Sequence, residues 1–126
     1  LKDFALKQLE LFNTKIKDEG IKTSEPLLLN GDFSDKIVST AERIHANIIM
    51  IGGGEVLENN VLQLGSNAEK IIKKSSKPVL VVKGKKPFSI KSILCPVDFS
   101  KESKRALKNA ITMHSKKSRE PSEVGI

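Results

Sequence analysis

NIIMIGGGEVLENNVLQLGSNAEKIIKK, Asn47 to Lys74, is the stretch that decides the fold. Ile48, Ile49, Met50 and Ile51 form a short continuous apolar run between turn residues, the pattern of a parallel strand covered on both faces. Gly52, Gly53 and Gly54 end that run. Further on, Gly65 and Ser66 precede Asn67, Ala68 and Glu69, and the S-x-x-E spacing of Ser66 and Glu69 predicts a capping box at a helix start. The exposed backbone N–H groups of that first turn are expected to point back toward the glycine turn. A helix N-terminus facing a glycine-rich strand end suits a phosphate, because unpaired N–H groups and the helix dipole both favour an anion.

On the N-terminal side, residues 1–19 place Phe4, Leu6, Leu9, Leu11, Phe12 and Ile16 on a broad apolar stripe at helical spacing, and Gly20 sits where a helix stop is wanted. Leu27 to Leu29 after Pro26 predicts a strand with Asn30-Gly31 as its turn. Asp32 is placed to cap a helix running to about His45, with Ile37, Val38, Ala41 and Ile44 on one face. Val79 to Val82 supplies a further strand after the helix that follows Gly65. Strand and helix alternate over short connections, which predicts an α/β fold: a parallel sheet with helices on both faces. A basic linker, residues 83–89, follows. Ile93 to Val97 then predicts another strand, and Ala106, Leu107, Ala110 and Ile111 share a helix face beyond it. Residues 116–126 have no apolar periodicity and read as a chain end.

The run from Asp32 to Val82 resembles the universal stress protein family, whose nucleotide-binding members carry G-x2-G-x9-G-[ST] at this place. Gly52 matches the first glycine and Gly65-Ser66 the last pair, while the middle glycine falls on Glu55. A carboxylate there adds like-charge repulsion at a phosphate site, and its side chain blocks the close backbone approach that glycine allows; Gly54 is one residue away. The resemblance implies the adenine nucleotide alpha hydrolase-like, Rossmann-like version of the α/β fold. It also implies an adenine nucleotide such as ATP as ligand, bound by Gly52, Gly53, Gly54, Gly65, Ser66 and Asn67. Asp98, at the end of the strand Ile93 to Val97, matches the family's aspartate that contacts base or ribose; its other reading is a helix N-terminal carboxylate stabilised by the dipole. The element order is unusual. Residues 1–82 resemble the second part of a family domain, helix 2 to strand 5, and residues 90–115 resemble its first strand and helix, with nothing in the chain matching strand 2. A piece of a tandem two-domain member and a permuted domain both fit that order.

The chain has 126 residues, 38% of them hydrophobic, enough for one core. No stretch approaches the roughly 20 apolar residues of a membrane span and no signal-peptide pattern opens the sequence, so a cytoplasmic protein without membrane contact is expected. The single cysteine, Cys95, fits a reducing compartment and sits in an apolar run, where a thiol is more often packing than nucleophile. His45 and His114 lack ligand spacing, so no metal is expected. The formal charge of +7 is unevenly spread: residues 1–66 hold seven Lys/Arg against ten Asp/Glu, whereas residues 67–126 hold fifteen against five. With no Trp or Tyr to stack on bases, the lysines from Lys73 to Lys86 read as solvating groups, and nucleic acid is disfavoured as a partner.

Three functional readings follow: a stress-response module binding an adenine nucleotide, a module of the same fold acting through dimerisation or partner contacts, and a weak nucleic-acid binder. No paired catalytic carboxylates, activated nucleophile or Walker lysine points to an enzyme. A homodimer is the expected assembly. For Ser92 to Val97 to lie beside Ile48 to Ile51 in its own chain, the seven linker residues must span roughly 20 Å of a reach of about 24 Å. Exchange of residues 90–114 with a second chain relieves that tension.

Overall fold

The computed structural model describes residues 1–53, 64–84, 89–116 and 123–125, which divide into two compact units, Leu1–Gly84 and Lys85–Ile126. The first unit begins with helix α1, Lys2–Asp18. Gly20, at φ +80°, ends it in the left-handed conformation: its N–H donates to Lys17 O at 2.9 Å and the Ile21 N–H to Ile16 O at 3.3 Å. This pair of bonds satisfies carbonyls that the last turn leaves open, and glycine adopts the required φ without steric cost. Helix α2, Phe33–Arg43, is capped by Asp32, whose Oδ1 accepts from the Asp35 N–H at 3.0 Å. It closes by the same device as α1, with the Ala46 N–H donating to Ala41 O at 2.9 Å and the His45 N–H to Glu42 O at 3.1 Å, but here the left-handed residue is His45, at φ +53°.

Strands β1, Ile49–Gly52, and β2, Val79–Val82, pair in parallel, with Ile49 opposite Val79 and Gly52 opposite Val82. Helix α3, Ser66–Lys74, lies between them in the chain. One face of this pair carries the core, in which Ala41, Ile49 and Ile71 are buried and Ile37, Val38, Ile51 and Val79 pack around them. Strand alternation sends Met50 to the other face, where it is 62% exposed. The far end of α3 is held to the start of α2 by polar contacts: Lys74 Nζ lies 2.5 Å from Asp35 Oδ1 and 3.1 Å from the hydroxyl of buried Ser34, which donates to Asp32 Oδ1 at 2.7 Å. The Ser34 hydroxyl, then the Asp35 N–H, hold the Asp32 carboxyl below its ordinary range, and the Asp35 carboxylate raises Lys74.

The second unit contains β3, Ser92–Leu94, then α4, Lys101–Lys116, then β4, Glu123–Gly125, with β3 and β4 paired in parallel. Strand, helix and parallel strand form one βαβ unit. Among the described residues, no helix is long and apolar enough to cross a membrane.

Three elements differ from the sequence expectation. Leu27 to Leu29 does not form a strand; no described segment pairs with it, and Pro26 removes one donor N–H. Leu27 and Leu29 instead flank an apolar groove of about 280 Å³ with Ile37, Ile44 and Ile48. The strand expected over Ile93 to Val97 stops at Leu94, since Pro96 cannot donate to a ladder. Within the tail, Glu123–Gly125 forms a strand that the sequence did not announce, because a three-residue strand held by backbone pairing needs no visible apolar period.

Ile71 is fully buried, whereas its neighbour Ile72 on α3 is 43% exposed. Ile71→Ala should cost about 2–5 kcal/mol in urea-induced unfolding, and Ile72→Ala under about 1 kcal/mol. Equal losses for the two would contradict this core.

Candidate functional site

The carboxyl end of β1 and the N-terminus of α3 meet at a cleft of about 360 Å³ lined by Phe33, Ile51, Gly52, Gly65, Ser66, Asn67 and Ala68. Four of the expected site residues, Gly52, Gly65, Ser66 and Asn67, are therefore brought together. The helix start is one residue earlier than the capping box required. Gly65, at φ −62° and ψ 146°, is the N-cap, so Ser66 already lies within the first turn and no side chain caps it. The Glu69 side chain turns the other way, to Lys73 Nζ at 2.7 Å, an i,i+4 pair on the exposed face. The first intrahelical bond runs from the Glu69 N–H to Gly65 O at 3.0 Å. The N–H groups of Ser66, Asn67 and Ala68 thus have no acceptor among the described residues and stand at the positive end of the α3 dipole.

Gly53 has a different task from the one its motif position implies. Its N–H donates to Val82 O at 2.7 Å and so extends the ladder, leaving that amide unavailable to a ligand. A Cβ at Gly53 would come within 2.8 Å of Val81 Cγ1 and closer still to the Lys83 side chain, so glycine here allows the two strand ends to approach. No atom of the described residues stands within 4 Å of a Cβ built on Gly52 or Gly65. Gly54 and Glu55 lie outside the described residues.

Phe33 was not singled out from sequence. It is the residue after the Asp32 cap, where α2 begins beside the cleft, and its exposed ring is a wall of the pocket. A large apolar side chain at an exposed N1 position, off the α2 core face, is the signal that marks it.

Asp98 belongs to the second unit. Its Oδ1 accepts from the Ser100 N–H at 3.0 Å, while Ser100 caps α4 by accepting from the Ser103 N–H at 3.1 Å. Between them, Phe99 takes the left-handed φ of +66° with its ring exposed. The Ser100 hydroxyl, followed by the Ser100 N–H and the Ser103 hydroxyl, lowers the Asp98 carboxyl to about 2. These bonds are those of a carboxylate organising the turn into α4.

The universal stress protein family model matches residues 2–83, all within the first unit and covering both sides of the cleft. The chain belongs to the universal stress protein family. It is 35% identical over 85 residues to a universal stress protein of Methanocaldococcus jannaschii, an alignment covering 68% of this chain and 52% of that protein. The chain thus spans about half the length of the curated relative it matches. No solved structure gives a significant match.

The depressed Asp98 value sets a pH dependence. A carboxyl lowered in the folded state contributes stability above its unfolded value near 3.8, and that contribution is lost as pH falls through about 2. Asp98→Asn should therefore melt earlier than the parent at pH 5 to 7, with the difference shrinking below about pH 4 and vanishing only below about pH 2. Thermal melts by circular dichroism across this range are the check, and a difference that stays constant with pH would exclude the carboxylate role.

Proposed function

We propose that the chain is a stress-response module that binds an adenine nucleotide such as ATP, with the phosphates at the cleft between Gly52 and Gly65-Ser66-Asn67. The observation that carries this reading is the presence, at the α3 N-terminus on one wall of that cleft, of three N–H groups with no acceptor among the described residues, opposite a strand end whose glycine has no Cβ. An anion there gains both the hydrogen bonds and the helix dipole. The Phe33 ring offers an apolar surface against which a base can stack. Binding, with no chemistry on the nucleotide, is the proposed activity. Glu55, at the middle position of the motif, opposes the negative phosphates and keeps the affinity low.

Isothermal titration with ATP tests this on three proteins. The parent should bind; Gly65→Ala should bind more weakly with its stability within about 1 kcal/mol of the parent, since the added methyl meets no described residue and alanine is the poorer N-cap. Glu55→Gly should bind more tightly by about 1–2 kcal/mol, roughly tenfold. Absence of heat with the parent at millimolar ATP, together with no adenine nucleotide released on denaturing the purified protein, would refute the proposal.

A second reading, homodimerisation, is favoured by a separate observation. Helix α1 has no buried residue, and Phe4 and Phe12 on its apolar stripe are 66% and 64% exposed. An apolar helix face of this kind normally covers something, and a second copy of the chain is the proposed cover, by face-to-face packing or by exchange of residues 90–114. Light scattering should then give twice the chain mass at micromolar concentration and the single mass for Phe4→Glu/Phe12→Glu. A parent that stays monomeric would rule this assembly out.

A further inference from the structure

The basic excess of residues 67–126 is not evenly solvated. Lys73, Lys74 and Lys77 are matched by Glu69, Asp35 and Glu42 at 2.7, 2.5 and 3.8 Å. Four cations of α4 are not matched: Lys101, Lys104, Arg105 and Lys108 are exposed and none forms an ion pair among the described residues. At 3.6 residues per turn these four fall within an arc of about 100° and extend about 10 Å along the helix. The opposite side of α4 carries Leu107 and buried Ala110, so the stripe is turned away from its own unit.

This placement works against the helix that bears it. Lys101 and Lys104 stand at the N-terminal end of α4, where the dipole disfavours cations. Lys101 with Arg105, and Lys104 with Lys108, are like charges at i,i+4, a further destabilising arrangement. Helix α3 pairs Glu69 with Lys73 four residues on, an ion pair of a kind that none of the four α4 cations has among the described residues. A stripe that opposes the dipole and repels itself is stabilised when an anionic surface lies along it.

The sequence disfavoured nucleic acid on the lysines from Lys73 to Lys86 and on base stacking; on the different ground of the α4 stripe, we infer that Lys101, Lys104, Arg105 and Lys108 form a contact surface for the phosphate backbone of a nucleic-acid duplex, bound without regard to sequence. Duplex DNA presents one negative charge per about 1.7 Å of axis, so the stripe faces about six phosphates. Base stacking has no part in it, since α4 contains no Phe, Tyr or Trp. A membrane surface fits less well, because a helix lying in a bilayer interface buries a continuous apolar face in lipid, whereas Ala110 at the centre of that face of α4 is buried in the protein, with Ile111 and Met113 exposed at its edges. The inference is independent of the nucleotide cleft and uses none of its residues.

The test is anisotropy of a short labelled duplex titrated with the full chain between about 50 and 200 mM salt, for two unrelated sequences. Both duplexes should bind alike, and the four contacts should contribute about −3.6 to the slope of log affinity against log salt. Lys104→Ala/Arg105→Ala should reduce that slope by about 1.8 while its circular dichroism spectrum stays that of the parent. No binding near 50 mM salt, a slope unchanged in the double variant, strong preference for one sequence, or binding to phosphatidylserine vesicles with none to the duplex would each overturn the inference.

Discussion

Ile71 is the contact on which the first unit depends. Its side chain is the point at which α3 meets Ala41 of α2 and Ile49 of β1, and the core around it is small. Few other buried groups fix where α3 lies over the strand pair. The N-terminus of α3 is a wall of the cleft, so the geometry of the site follows from the burial of Ile71 in the middle of the helix together with that of Ala68 in its first turn. The contacts of Lys74 with Asp35 and Ser34 hold the far end of the helix from outside the core. Apolar burial provides most of the stability of such an arrangement, and the exposed ion pair adds orientation more than energy.

The two units show how local signals and pairing signals differ in what a sequence reveals. Helices α1 and α2, the left-handed stop at Gly20 and the Asp32 cap were legible because each depends on residues within a turn or two of itself. Strands β1 and β2 were legible as continuous apolar runs, although only one face of the pair carries the core and Met50 on the other is exposed. Leu27 to Leu29 carries the same composition and forms no strand, because a strand exists only if another segment pairs with it, and composition does not report the partner. Glu123–Gly125 is the reverse case: little composition, but a partner in β3.

The cleft was legible in outline for a related reason. Glycines at a strand end and a helix start can be read from spacing, so Gly52, Gly65, Ser66 and Asn67 were found. Which amides stay available cannot be read that way. The bond from Gly53 to Val82 is a property of the β1–β2 register, and the shift of the N-cap to Gly65 follows from how the chain enters α3. Phe33 comes from an element on the far side of β1 in sequence, and only packing brings it to the cleft.

Two element boundaries are held by residues poorly suited to their backbone. His45 closes α2 and Phe99 precedes α4, both with left-handed φ, a conformation that costs a non-glycine residue roughly 1 kcal/mol. At His45 two backbone hydrogen bonds impose it; at Phe99 the bonds of Asp98 and Ser100 on either side impose it. The chain therefore holds stability in reserve that its present sequence does not use. A glycine at either position would release it without touching core or cleft, and a lineage with that margin can tolerate a core or site substitution that would otherwise unfold so small a domain.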